Sequence, residues 1–165
     1  MYLSIERQRE IDKKIDEILL GTGMSFPENS IGELLDKLGI SYSTTAELSA
    51  DVSGIIFFRN GEPFIAANSK DSLKRKLFTL AHELGHFLLH PLQEGERYRL
   101  DKYYSVDDYN KEETEANYFA ASLLVPSERL AWAMNQSGDT SIIARYFGVN
   151  EAVIINRMRW LKYNG

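Results

Sequence analysis

Asp71–His90 reads DSLKRKLFTLAHELGHFLLH, and its apolar positions decide how the middle of the chain folds. Leu73, Leu77, Leu80, Leu84 and Leu88 recur at intervals of three and four. That spacing keeps side chains on one face of a helix with 3.6 residues per turn. Pro91, which has no amide hydrogen to donate, closes the helix. Inside it stands His82-Glu83-Leu84-Gly85-His86. Residues four apart lie one turn apart on the same face, so the two imidazoles can converge on one ion. Glu83 lies about 100° round the helix from His82, close enough to hold a water on that ion. Catalytic zinc commonly takes three protein ligands and keeps one position open, so the pattern calls for a further ligand from elsewhere.

The candidates lie in Lys111–Pro126, KEETEANYFAASLLVP. Glu112, Glu113 and Glu115 point in different directions on one helix, so at most one of them should face the ion. Glu113 has Asn117 one turn on, with Ala120, Ala121 and Leu124 close to the same stripe. A carboxylate, an amide able to orient a ligand imidazole, and an apolar seat then fall in line. Glu112 and Glu115 fit solvated acids at the favourable end of a helix dipole. Glu113 is the favoured ligand and Glu115 its main rival. His90 completes the histidines of the chain, all three of which fall between 82 and 90. Three residues along one straight helix cannot easily surround an ion, so His90 reads as a dipole-favoured cap before Pro91.

Working outward, GIIFFRNGEPFIAAN (54–68) holds two apolar runs joined by Asn60-Gly61, a pair suited to a tight hairpin turn. Strands near 54–59 and 63–68 follow. An extended substrate could add to an exposed edge of that hairpin. Residues 4–20, SIERQREIDKKIDEILL, form an amphipathic helix ending at Gly21. Asn29 and Ser30 can cap a second helix through IGELLDKL, stopped by Gly39. Residues 92–111 are polar, tyrosine-rich and without period, and read as a loop. Its Tyr98, Tyr103, Tyr104 and Tyr109 are candidate donors to an oxyanion. Another helix spans about 111–125. Ser127 can cap one through Asn135, and two short helices follow at about 140–147 and 150–162, split at Gly148.

The chain has 165 residues, 44% hydrophobic and 26% charged, the balance of a globular protein. No apolar run approaches the roughly 20 residues of a bilayer span. The N-terminus is charged from position 6 onward, without the apolar core of a secretion signal. There is no cysteine, which excludes disulfides and thiolate metal sites. A cytoplasmic location, without membrane association, is expected. The net charge of −5 does not suit a protein that grips DNA through its whole surface.

RKLFTLAHELGHFLLH followed by EETEANYFAASLLVP resembles the ImmA/IrrE family of bacterial and phage metallopeptidases, as does VSGIIFFRNGEPFIAANSK upstream. The likeness covers roughly residues 30–160. It implies an α+β fold with a zincin-like core. A small twisted antiparallel or mixed sheet would pack on the HExxH helix and a Glu-bearing helix, with helix-turn-helix-like helices at the C-terminus. The division expected is 1–126 for the peptidase domain and 127–165 for a helical subdomain packed on it. The resemblance assigns the metal to His82, His86 and Glu113, with Asn117 in the AN position of the family's ExxAN motif, and Glu83 is the expected general base. It also implies one Zn2+ per chain, with Mn2+ or Fe2+ open on ligand type alone. The implied partner is a helix-turn-helix repressor, cleaved to release stress or mobile-element genes.

Two features depart from the family. Many relatives carry a second basic residue where this chain has Leu77, although Arg75 is kept. The sequence ends at Gly165, from which regulatory input is expected to come from another molecule. TSIIARYFGVNEAVIINRMRWLKYNG (140–165) resembles a helix-turn-helix, with Ala144, Phe147, Val149, Val153 and Leu161 as its packing set and Arg157 and Arg159 on the second helix. Two short helices around a glycine turn also occur in proteins that never touch DNA. Beside a repressor-cleaving endopeptidase therefore stand two alternatives: a non-catalytic module that binds a regulator, and a DNA-binding regulator with a structural metal site. Glu83 separates them, because a structural site needs no general base.

Overall fold

The computed structural model of the chain describes residues 3–92 and 110–162, together with the backbone of 98–102. Helix α1 (Ile5–Thr22) starts at Ser4, whose hydroxyl accepts from the Arg7 amide, and ends at Gly23 in the left-handed region. It runs past the boundary expected at Gly21. Helix α2 (Ile31–Leu38) has a full capping box, Ser30 and Glu33 each accepting the other's amide, and stops at Gly39 with φ 71°.

Strands β1 (Ser41–Thr45), β2 (Val52–Arg59) and β3 (Glu62–Asn68) follow. The β2–β3 hairpin turns through Asn60 and Gly61, with φ of 52° and 80°. Positive φ at both positions is what a two-residue hairpin loop requires, and Arg59 pairs with Glu62 across it. Helix α3 (Leu73–Leu89) comes next, then strand β4 (Tyr98–Lys102). Four helices complete the chain: α4 (Lys111–Leu124), α5 (Ser127–Gln136), α6 (Thr140–Phe147) and α7 (Glu151–Lys162). The fold is α+β, a four-stranded mixed sheet in the order β1-β3-β2-β4 with helices packed against it.

Two expectations about the sheet are corrected. The segment 92–111, read as loop, contains β4, which pairs antiparallel with β2 from Val52 to Phe57. YRLDK carries no apolar alternation, so this strand is held by the ladder of its neighbour rather than announced by its own pattern. In turn, among the described residues the 54–68 hairpin is covered along most of both edges, with only Phe58, Arg59, Glu62 and Pro63 of its strands, at the tip, outside the neighbouring ladders. β3 is covered by β1 in parallel pairing and β2 by β4, leaving β1 and β4 as the outer strands.

The sheet lies on α3, and α3 packs along α4. Gly54 pairs with Ala67 and Ile56 with Ile65, so these four share one face. A side chain built on Gly54 would run into Thr79 of α3, which identifies that face as the one toward the helix. Between α3 and α4 the approach is close. A Cβ on Gly85 would stand 3.0 Å from Phe119, a fully buried ring. Leu34, Ile65, Leu84, Phe119, Leu123 and Ile154 form the centre of the core. α1 and α7 both pack against α4.

At the C-terminal end, Ser127 is the first residue of α5 rather than its cap, and Pro126 at the cap position offers no side-chain acceptor. Gly148 ends α6 with φ 69°. Ala144, Phe147 and Val149 are buried, with Val153 and Leu161 half-buried. Arg157 does not present itself to a nucleic acid. It is 4% exposed, and its Nε donates to the Val125 carbonyl at the end of α4 over 3.0 Å. Arg159 is exposed. No helix among the described residues is long and apolar enough to cross a membrane.

Candidate metal centre

Ser72 caps α3 by accepting from the Arg75 amide, and the whole run Thr79–His86 is buried. His82 and His86, one turn apart, point their Nε2 atoms to the same place, 3.1 Å from each other. Glu113, from the first turn of α4, meets both. Its Oε2 lies 3.1 Å from His82 Nε2 and its Oε1 2.8 Å from His86 Nε2. These three side chains form a group able to hold a metal ion. Tetrahedral ligands at about 2.0–2.1 Å from zinc stand roughly 3.3 Å apart, so a slight opening of this trio would seat the ion. Nitrogen and carboxylate donors without thiolate fit zinc and do not exclude other borderline divalent metals. Burial alone would raise the Glu113 carboxyl, but hydrogen bonds from His82 and His86 hold it well below the usual carboxylate range.

Glu83, next to His82 on α3, is fully buried. Its place depends on β2. At Gly54 a Cβ would come within 3.0 Å of Glu83 Oε1 and 2.5 Å of Thr79 Cγ2. Next to Gly54 the β2–β4 ladder shifts register, between Val52 and Gly54. A bulge next to a glycine lets the strand backbone lie against the helix where a side chain would block it.

The outer nitrogen of each imidazole is also engaged. His82 Nδ1 lies 2.9 Å from Asn117 Oδ1, one turn beyond Glu113 on α4. His86 Nδ1 lies 3.0 Å from His90 Nδ1, and His90 Nε2 lies 2.7 Å from Glu115 Oε2. Arg7 of α1 grips the same carboxylate, Nε to Oε1 at 3.0 Å and Nη2 to Oε2 at 2.8 Å. Burial raises the Glu115 carboxyl, and Arg7 and then His90 bring it below its ordinary value. Glu115 is thus neither a rival ligand nor a solvated helix-start acid. His90, although it occupies the capping position of α3, spends its ring between His86 and Glu115.

The sequence reading missed Arg7, Gly54 and Thr79. Arg7 leaves a trace, lying one turn before Ile11 on the buried stripe of α1. Gly54 leaves less, because its reason is Thr79, 25 residues later on α3. Among the four tyrosines proposed as donors, Tyr98 opens β4 opposite Phe57 in the register. Tyr103, Tyr104 and Tyr109 lie outside the described residues. A cavity of about 630 Å³ borders the site through Asn117 and Phe78 and is bounded by Arg75, Val153 and Arg159, although none of the three converging side chains lines it.

The Peptidase_M78 family (IrrE N-terminal-like domain) matches residues 36–159. The chain is also similar to uncharacterized immunity region protein 2 of Bacillus phage phi105. The two are 29% identical over 109 residues, 66% of this chain and 61% of that protein. A solved structure of a Mycobacterium tuberculosis transcriptional regulator superposes with a TM-score of 0.63 at 18% identity, over 92% of this chain. That likeness is one of fold, and the chain spans 48% of the regulator's length.

Proposed function

Because the chain belongs to the Peptidase_M78 (IrrE N-terminal-like) family, we propose that it is a zinc-dependent endopeptidase that cleaves a helix-turn-helix transcriptional repressor. The observation that carries this reading is the meeting of His82, His86 and Glu113 at 2.8–3.1 Å, with Glu83, fully buried, next to His82 on the same helix. A structural metal site has no use for that fourth group. The partner is argued from kind: one relative is an immunity-region protein of a phage, and the fold recurs in a transcriptional regulator.

Zinc bound by these three residues would lower the pKa of a water in its open position toward about 7 and polarise the scissile carbonyl. Glu83 takes the proton of the attacking water on a carboxylate oxygen and passes it to the leaving amide nitrogen. Asn117 and His90, on the far nitrogens of the two imidazoles, keep the rings turned toward the ion. The helices from 127 onward serve as a subdomain that braces α4 through Arg157.

Incubation of the zinc-loaded chain with helix-turn-helix repressors of its host, read by mass spectrometry, tests this. The expected result is one pair of fragments whose masses sum to the repressor plus one water. Glu83→Gln should load zinc and leave the repressor intact. Cleavage by Glu83→Gln at the wild-type rate would remove the mechanism, and a zinc-loaded wild type that binds repressors without cutting them would make the protein a binding module.

A further inference from the structure

We propose that Arg7, Glu115 and His90 form a relay that fixes His86 in its metal-binding tautomer, so that metal affinity is set in part from helix α1. The proposal rests on the reading of His82, His86 and Glu113 as a metal site, and it concerns residues outside that group. Arg7 also lies outside the 36–159 region that matches the family.

Glu115 is an acceptor on both oxygens, because Arg7 donates to each of them. A carboxylate can only accept, so the 2.7 Å contact with His90 Nε2 puts a proton on that nitrogen. A neutral imidazole that donates from Nε2 accepts at Nδ1. The 3.0 Å contact between the two Nδ1 atoms then needs its proton on His86. With its Nδ1 proton committed to His90, His86 leaves Nε2, the atom that faces Glu113 and His82, as the nitrogen whose lone pair an ion would take. Each link fixes the next.

Removing the anchor removes that order. Without the Glu115 carboxylate, His90 can carry its proton on Nδ1 instead and donate it to His86. The His86 proton then moves to Nε2 and points into the place where the ion must sit. The relay is sheltered, with His90 and Glu115 side chains 6% and 3% exposed, so water cannot readily substitute for a missing partner. Its outer end is open. The Arg7 side chain is 28% exposed and also contacts Glu10, so whatever occupies Arg7 competes with Glu115 for it. Ligand-orienting partners of this kind are worth about 10–100-fold in metal affinity.

Competition for zinc against a chromophoric chelator, on the full chain, tests the relay. His90→Leu and Glu115→Gln should weaken zinc binding by about 10–100-fold, and Arg7→Gln should shift it in the same direction. His90→Gln is the decisive variant, because its amide oxygen can accept from His86 Nδ1 while Leu cannot. It should bind close to wild type, a difference that packing alone would not produce. His86→Ala serves as the control for the site. If His86→Ala loses zinc while His90→Leu and Glu115→Gln bind as wild type, the relay is wrong and the metal site stands. If Gln at 90 is as weak as Leu, proton acceptance is not the role of His90. If the wild type takes up no zinc, the metal site itself is wrong and the relay falls with it.

Discussion

His82 Nδ1 lies 2.9 Å from Asn117 Oδ1, and Asn117 stands one helical turn beyond Glu113 on α4. One helix face thus supplies both a carboxylate to the front of the histidine pair and an amide to the back of His82. The acceptor on Nδ1 holds a proton there, which leaves Nε2 as the nitrogen whose lone pair an ion would take.

Asn117→Ala should therefore weaken zinc binding without unfolding the protein. Asn117 is exposed, so water can partly replace its oxygen, and the loss should sit near the lower end of the range, about tenfold. Asn117→Asp keeps an acceptor in place and should bind nearly as wild type. Chelator competition on the three proteins measures both, and equal affinity for Ala and Asn at 117 would remove the orienting role.

Gly54→Ala should damage stability and, if the chain is a peptidase, turnover together. The new Cβ would meet Thr79 Cγ2 at 2.5 Å and Glu83 Oε1 at 3.0 Å, both on buried side chains of α3. Overpacking of this kind costs about 1–3 kcal/mol. For a chain of this size that lowers the melting temperature by roughly 2–12 °C. Thermal unfolding reads the first effect and repressor cleavage the second. An unchanged melting temperature would mean that β2 can withdraw from α3.

The convergence of His82, His86 and Glu113 was legible because its geometry is local. An i, i+4 pair on one helix and a carboxylate one turn before an amide on another are patterns within a few residues of sequence. What escaped depends on distant partners. Glu115 looks like any acid in the first turns of α4 until Arg7 arrives from 108 residues away. His90 looks like a helix cap until that same carboxylate is in place. β4 has no pattern of its own, and its pairing comes from the β2 ladder. Arg157 could be placed only as a basic residue on the second helix of the helix-turn-helix-like tail. Its burial against Val125 reflects how α7 docks on α4, which no spacing within 140–162 encodes.

The Tyr118 hydroxyl donates to the Asp12 carboxylate, 3.0 Å from each oxygen, and ties α1 to α4 a second time. Burial raises the Asp12 carboxyl above its ordinary value, while the Tyr118 hydrogen bond and the nearby Arg157 charge act to lower it. A carboxyl raised by folding favours the folded state below its unfolded pKa, near 3.8, and that advantage is lost as pH rises through the folded value. Tyr118→Phe removes the first of the lowering contacts and pushes Asp12 further up, so its cost should be greater at pH 7 than at pH 4. Loss of a hydrogen bond to a charged group suggests about 1.5–3 kcal/mol at neutral pH. Urea unfolding at the two pH values checks it, and an equal cost at both would show that Asp12 does not titrate between them.

Zinc itself should act as a stabilising ligand, because the three converging side chains come from two helices that are brought together only on folding. An ion that binds the native chain and not the unfolded one adds RT ln(1 + [L]/Kd), about 2.7 kcal/mol at one hundred times Kd. At roughly 2–4 °C per kcal/mol for a domain of this length, the melting temperature should rise by about 5–11 °C. A strong chelator should reverse the shift. Glu113→Ala removes the only one of the three groups supplied by α4 and should abolish the response. Glu83→Gln, which leaves all three in place, should preserve it. If the Glu113→Ala protein kept the full shift, the ion would be binding somewhere other than between α3 and α4. A shift lost in Glu83→Gln as well would mean that this carboxylate helps hold the ion, and its assignment as the proton carrier would then fail.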